Sequence, residues 1–494
     1  MSHPHDFTEL EHFEIDPRSV RLLDEEFCRE RQVVVLGAVE RGGAAPVTVG
    51  MVSPGRRSVV REVAARLGRE VEPVRLNAFE VRRALDRGWG LGDPAAERAV
   101  VTLSPVGELS FHADGDVPRL VDELLGLGVQ LGASDVHIEC YEHDVDVRLR
   151  VDGLLRQVAT PLSLDNVGAV VARLKVLSDL DIAERRRAQD GRIRALWKDG
   201  RKDGRGERPI DFRLSIVPGP AGEDAVLRIL DRATAVLGLE ELGFAGDHLA
   251  TFERLVTNPE GLVLVTGPTG SGKTTTLYAA IDRVNTAENK ILTAENPIEY
   301  RFPKTNQKQV SSTMGFADYA RAFLRQNPDI ILIGEVRDEE TADAAVRAAQ
   351  TGHLVLSTLH TNDAVRTVSR LRTLGVEGGM IASCLLGALS QRLVRRVCRH
   401  CREEAPPAPE EARRLGLPAD EPFARGRGCE ACGGRGTKGR TGIYELFVLD
   451  AELADRVAGN APVHELRERA VEKGMRTLLD DALEKARAGT IPLA

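Results

Sequence analysis

Gly261-Leu-Val-Leu-Val-Thr-Gly-Pro-Thr-Gly-Ser-Gly-Lys-Thr274 decides the reading of this chain. An apolar run of strand length passes into Gly-x-x-x-x-Gly-Lys-Thr (Gly267 to Thr274), and the next residues, Thr275-Thr-Leu-Tyr-Ala-Ala-Ile-Asp282, suit a helix. An anion cradle needs that order of parts. Glycines let successive backbone N–H groups curl round a phosphate, and the following helix turns the positive end of its dipole towards it. Gly267, Pro268, Thr269, Gly270, Ser271, Gly272, Lys273, Thr274 and Thr275 are therefore the candidate nucleotide-binding residues. Lys273 is expected to reach the β- and γ-phosphates, and the Thr274 hydroxyl to ligate Mg²⁺.

Further chemistry lies downstream. Asp329-Ile-Ile-Leu-Ile-Gly-Glu335 reads as a buried strand ending in an acid, and a carboxylate placed there reaches the metal or the attacking water. Glu295 and Glu299, in Thr293-Ala-Glu-Asn-Pro-Ile-Glu-Tyr300, end another strand. Taken singly, each is better explained as a solvated surface acid. Gly352-His353 and Ser357-Thr-Leu-His-Thr-Asn362 flank a fourth strand, where His360 is open to two readings, a γ-phosphate sensor or a structural histidine. Strands over Leu262–Thr266, Lys290–Ala294, Ile330–Ile333 and Leu354–Thr358 alternate with helical segments, so the fold class is α/β. A mostly parallel sheet with its ligand at the carboxyl ends follows.

At 494 residues the chain has room for about three domains. Residues 1–110 mix strand-like runs (Val33–Leu36, Pro46–Val49) with an amphipathic stretch over Ser58–Leu67, which suggests a small α/β module without a catalytic constellation. Gly90 to Asp116, rich in Gly, Pro and Asp, reads as a boundary. Residues 117–236 alternate like strands over Ser134–Glu139, Val145–Asp152, Asp211–Ile216 and Ala225–Leu230, with helices over Val117–Leu131 and Asn166–Leu180. Trp197 to Glu207 reads as a solvated hairpin tip. Residues 237–494 hold the phosphate loop and end in a helical tail, Val463–Arg487.

The net charge of −8 argues against a general nucleic-acid binder, and 4% aromatic residues leave no stacking platform for single strands. No apolar run approaches the ~20 residues needed to span a bilayer. The first residues, Met-Ser-His-Pro-His-Asp-Phe7, lack the basic and apolar regions of a secretory signal, so a cytosolic protein is expected, with a peripheral seat on a membrane complex left open. Among seven cysteines, Cys398-Arg-His-Cys401 and Cys429-Glu-Ala-Cys432 form two C-x-x-C knuckles. In a reducing compartment this pattern favours a closed, structural Zn²⁺ site of four thiolates, the rivals being a redox pair or unliganded thiols. The Gly-rich flank Cys432-Gly-Gly-Arg-Gly436 suits the tight turns such a site requires. Cys28, Cys140 and Cys384 stand alone and read as small buried hydrophobes.

In their order, the phosphate loop, Glu295-Asn-Pro-Ile-Glu299, Leu324 to Asp338 and Thr351 to Asn362 resemble the secretion ATPase superfamily. So do Gly132 to Glu139, Asp181-Ile-Ala-Glu184, Gln189-Asp-Gly-Arg192 and Asp211 to Ser215 upstream. With the four cysteines, the resemblance runs from about residue 117 to the end and is nearest to the cytoplasmic assembly ATPases of type II secretion systems. The pilus-extension ATPases are close relatives. The first hundred residues resemble the superfamily's amino-terminal module only loosely.

The resemblance implies a RecA-like P-loop NTPase domain, preceded by a PAS-like α/β domain and a small α/β module, with a zinc subdomain inserted over 396–440. It implies ATP, Mg²⁺ and Zn²⁺ as ligands, and a homohexamer whose sites form between the two halves of the enzyme. By the same resemblance Glu335 activates the water, Glu295 and Glu299 form an acidic box, and His353 and His360 a histidine box. Arg213 and Arg228 approach the γ-phosphate, and Arg321 and Arg325 form a second basic pair; a planar cation suits charge on a transferring phosphoryl group. The implied partners are the cytosolic domain of an inner-membrane secretion protein and a polytopic platform protein, with no nucleic acid. Three residues depart from the pattern: Asn296 and Asn327 stand where carboxylates are usual, and Asp224 where a basic or small residue is. Two other classes remain beside an ATP-driven motor for fibre assembly. One is a non-hydrolytic nucleotide-gated scaffold; the other is a nucleic-acid translocase with Arg392, Arg395, Arg396 and Arg399 in its pore.

Overall fold

The computed structural model describes residues 13, 15–39, 45–76, 78–89, 101–106, 116–199, 207–231 and 237–493. The chain forms two compact units, residues 1–150 with 155–229, and residues 230–494 with 151–154.

In the first unit, Val33–Val35, Val47–Met51 and Val71–Arg75 form a three-stranded sheet, antiparallel then parallel. Phe27, Val33, Val49, Met51, Val63 and Leu85 pack its core, drawn from the strands and the helices beside them. Asp24 starts the helix Glu25–Arg31 by accepting the Phe27 N–H. A seven-stranded sheet follows, in the order Val101–Leu103, Gln189–Lys198, Glu207–Pro218, Glu223–Asp231, Ala133–Cys140, Val145–Val151 and Leu154–Gln157. Val101–Leu103 falls in the stretch read as a boundary, yet it is an edge strand parallel to Gln189–Lys198. Three residues are too few for a period-2 pattern to stand out against Gly and Pro neighbours. Asp224 accepts the Cys140 N–H at 2.8 Å, which ties two neighbouring strands of this sheet together. Most of the loop read as a solvated tip, residues 200–206, lies outside the described residues.

The second unit is built on one sheet. Its strands are β1 (Gly261–Thr266), β2 (Ile291–Glu295), β3 (Thr305–Gln309), β4 (Ile330–Ile333), β5 (Leu354–Leu359), β6 (Leu385–Val397) and β7 (Thr437–Val448). They lie in the order β3-β2-β4-β5-β1-β6-β7. All neighbours are parallel except β6 and β7. Strands covered on both faces read as unbroken apolar runs, and β1, β4 and β5 are buried at every position. Alternate residues divide between two cores. Leu264, Ile331, Ile333 and Val355 face α2 (Phe316–Phe323) and α3 (Glu339–Gln350), while Val263, Val265, Leu332 and Leu356 face α1 (Lys273–Val284). The buried alanines of α3, among them Ala345, Ala348 and Ala349, let that helix lie close to the sheet.

β6 and β7 flank an excursion in which Arg402–Ala405 pairs antiparallel with Phe423–Gly426. The expected helical tail is two helices, Val463–Glu472 and Leu478–Arg487, parted at Gly474, where φ is +97°. Among the described residues, no helix is long and apolar enough to cross a membrane.

Candidate nucleotide site and cysteine cluster

The carboxyl end of β1 turns directly into the phosphate loop. Gly267, Gly270 and Gly272 have φ of +147°, +76° and +88°, which L side chains rarely adopt, and Gly272 is the N-cap of α1. A Cβ on Gly267 would lie 2.6 Å from both the Gln391 carbonyl oxygen and Ser271 Oγ, so the cradle admits no side chain there. Lys273 Nζ donates to the carbonyls of Gly267 (3.0 Å) and Pro268 (3.1 Å), which folds the lysine over the loop it would serve. Burial, and then Arg392, lower its pKa, while Glu335 opposes them. Ser271 is buried with a hydroxyl that has no protein partner, and Thr274 is half-buried in the first turn of α1. A tight glycine loop, a lysine and an unsatisfied hydroxyl at a helix N-terminus fit a phosphate chain.

Two strands away in the sheet, β4 delivers Glu335. Arg337 Nη2 pairs with its Oε1 at 2.6 Å, and His360 Nε2 lies 3.8 Å from its Oε2. Burial first, and then Lys273, lower the His360 pKa, so its ring is neutral near pH 7. Lys273, Glu335 and His360 thus share one electrostatic neighbourhood, drawn from the carboxyl ends of β1, β4 and β5. The Thr266 hydroxyl binds the loop after β5, donating to the Leu359 carbonyl (3.0 Å) and accepting the Thr361 N–H (2.8 Å).

Other candidates from the sequence are placed elsewhere. Glu295, at the end of β2, is 4% exposed and accepts from Tyr278, Thr293 and Gln307. Glu299 is exposed, and its backbone N–H donates to the Tyr278 hydroxyl at 3.1 Å. His353 precedes β5, at the opposite end of that strand from His360, with Nδ1 2.9 Å from the Ala348 carbonyl. Arg321 pairs with Glu340 (3.0 Å) and Asp318 (3.6 Å), and Arg325 donates to the Arg321 carbonyl. Asn327 adopts φ +49°, a left-handed conformation that Asn tolerates well.

Sequence reading passed over Gln391, whose amide bonds the phosphate loop, and placed Arg392 only in a pore. Arg392 Nη2 donates to the Asn362 carbonyl at 2.8 Å. The one available signal for Gln391 was a polar residue inside the apolar run Leu385-Leu-Gly-Ala-Leu-Ser-Gln391.

Residues 111–493 match the family model described as type II/IV secretion system protein. The chain belongs to that family. Residues 4–88 are similar to the MshEN domain. The type II secretion system protein HxcR of Pseudomonas aeruginosa is 46% identical over 400 residues, 80% of each chain. The type IV pilus assembly ATPase PilB of Thermus thermophilus is 40% identical over 493 residues, 97% of this chain and 54% of that protein. This chain therefore spans about half the length of that relative. The crystal structure of the pilus retraction motor PilT with bound ADP aligns with 27% identity and a TM-score of 0.51, over 75% of this chain and 94% of that one. The phosphate loop and this membership together make the chain an ATPase.

In this family member, Arg213 and Arg228 lie on the first unit, on the strands Glu207–Pro218 and Glu223–Asp231. Arg228 pairs with Asp135 at 3.2 Å and remains 61% exposed; Arg213 stands opposite Arg192 in register. The four cysteine sulfurs, by contrast, converge within 4.8 Å of one another. Cys398–Cys429 and Cys401–Cys432 are 3.9 Å apart and Cys429–Cys432 3.7 Å. The Cys429 and Gly436 N–H groups donate to Cys432 Sγ at 3.2 Å, which favours thiolate. Gly426 and Gly436 let two backbones touch, since a Cβ on Gly426 would lie 2.0 Å from the Gly436 carbonyl oxygen. Four convergent sulfurs can hold a tetrahedral metal ion.

Proposed function

We propose that this chain is the assembly ATPase of a type II secretion system, coupling ATP hydrolysis to growth of a pilus-like fibre that exports protein. The observation that carries the reading is the phosphate loop with Lys273, Glu335 and His360 in one neighbourhood. Backbone N–H groups of Gly267 to Thr274 bind the phosphates, and Lys273 exchanges its two carbonyl partners for phosphate oxygens. Glu335, steadied by Arg337, accepts a proton from the attacking water. Neutral His360 donates or accepts beside it without adding a competing charge. Thr274 would hold Mg²⁺, which when bound supplies charge neutralisation between the phosphates. We assign Arg213 and Arg228, with Arg321 and Arg325 as a second pair, to the charge on the transferring phosphoryl group. Glu299 is assigned to the margin of the same machinery and Glu295 to its buried support, while His353, held on the Ala348 carbonyl before β5, is assigned to bracing that strand from its other end.

We assign Zn²⁺ to the cysteine cluster. Zn–S bonds of about 2.3 Å in a tetrahedron set sulfur–sulfur edges of about 3.8 Å, close to the 3.7 and 3.9 Å found here. Its role is structural, stapling the 396–440 subdomain. The working form is a cytoplasmic homohexamer on the inner membrane, with the amino-terminal module docked on the cytosolic domain of a secretion protein and the ring on a polytopic platform protein. The 46% identical HxcR supports secretion. The 40% identical PilB supports a second reading, extension of a type IV pilus.

Lys273→Ala should abolish phosphate release by the purified chain, by about 100-fold or more, and stop protein export in cells; unchanged turnover discards the mechanism. Lost surface pili with export intact select the second reading. Deletion of residues 1–110 should prevent capture of the chain by inner-membrane vesicles holding the secretion proteins, and undiminished capture overturns the docking assignment.

A further inference from the structure

Gln391 stands on β6 against the phosphate loop and is 1% exposed. Both ends of its amide are committed. Nε2 donates to the Ser271 carbonyl at 2.6 Å, and Oε1 accepts from the Thr276 hydroxyl at 2.8 Å. An amide offers donors on one side and an acceptor on the other, so these two bonds fix its orientation. Its backbone closes on the loop as well, because the Gln391 carbonyl oxygen is what a Cβ on Gly267 would strike. One residue therefore meets the loop at its first glycine, at Ser271 and at the first turn of α1. Its neighbour Arg392 reaches the loop after β5 through the Asn362 carbonyl.

A loop that binds an anion through N–H groups must turn its carbonyls the other way, and a buried carbonyl so turned needs a donor. Gln391 supplies that donor to Ser271. The peptide joining Ser271 to Gly272 is planar and trans, so its C=O and N–H point in opposite directions. Holding the Ser271 oxygen towards β6 aims the Gly272 N–H away from β6, into the cradle. The Thr276 bond fastens the first turn of α1, and with it Lys273, to the same strand.

We propose that Gln391 is a positioning residue for hydrolysis: through the Ser271–Gly272 peptide plane it aims the Gly272 N–H at the transferring phosphates. This rests on the phosphate loop being the ATP site. Donors aimed at the reacting group act on charge that develops during transfer, so misaiming one lowers kcat more than it weakens binding.

Gln391→Met keeps the side chain's length and burial and removes the donor. Its kcat should fall about tenfold or more, with KM for ATP within about threefold and Tm within about 4 °C of the natural chain. Thr276→Val, which removes only the helix bond, should lower kcat about threefold. The double variant should be no slower than Gln391→Met by more than about twofold, because both act through one amide. A kcat within about twofold of the natural chain, a loss carried equally by KM, or full additivity in the double variant each overturns the proposal. If Gln391→Met fails to fold, Thr276→Val decides alone: its kcat drop at unchanged Tm supports the role, and natural kcat overturns it. Lys273→Ala in the same series separates the premises. Full turnover there removes the loop from hydrolysis and the proposal with it, whereas its loss beside an unimpaired Gln391→Met removes the positioning role alone.

Discussion

Glu295 closes β2 and Glu335 follows its neighbour β4, in similar-looking sequence, yet their surroundings differ in kind. Glu295 Oε2 accepts from the Tyr278 hydroxyl, and its Oε1 accepts from Thr293 and from Gln307 at 2.9 Å. Those bonds commit the carboxylate to joining α1, β2 and β3. Tyr278 is held as a protonated phenol by burial and then by Glu295, which push its pKa above the usual range. Glu335 has one arginine on one oxygen and a histidine 3.8 Å from the other, with Lys273 in electrostatic reach. A strand-end acid is thus assigned its work by its donors. Glu295 holds the nucleotide helix in place, and Glu335 is left able to accept from water.

The contrast is broken or sharpened by four changes. The largest effect is expected from Glu335→Gln, which keeps shape and removes the base: kcat should fall by about 10²–10⁴ with little change in Tm. Glu295→Ala should instead leave three donors unpaired and destabilise the chain by about 2–4 kcal/mol in urea unfolding, with activity lost only as structure is lost. A folded Glu295→Ala chain without turnover would invert the comparison. Tyr278→Phe removes one of those donors and should cost about 1 kcal/mol in the same measurement. The smallest effect is a pH dependence. The His360 pKa lies below its ordinary value in the folded chain, chiefly through burial and Lys273. Its neutral form is favoured by folding, so stability and rate should hold above about pH 6.5 and decline in acid below it. His360→Asn should flatten that decline in a kcat–pH profile, and an unchanged profile would remove His360 from the site.

Local chemistry explains what was legible. The phosphate loop, β4 with Glu335, and the paired cysteines each lie within a few consecutive residues, where turn geometry and burial leave a mark in sequence. Gln391 acts on Ser271 from far along the chain, and a single glutamine in an apolar strand carries no period to read. Glu295 takes its donors from Tyr278 and Gln307, on other elements, so its saturation was invisible too. Within one chain His353 and His360 stand at opposite ends of β5, a separation that a shared motif conceals. The break within the helical tail falls at Gly474, whose positive φ ends a turn that hydrophobic spacing alone does not mark.

β6 pairs with β7 as far as Val397 opposite Thr437, and the Cys398 N–H donates to the Gly436 carbonyl at 2.9 Å as the hairpin enters the cysteine cluster. Sliding β6 by one residue would turn Gln391 off the phosphate loop and put Ser390 or Arg392 in its place. The Cys398–Gly436 bond at the far end opposes that slide, so this end of the hairpin serves as a ratchet pawl for a site it never touches.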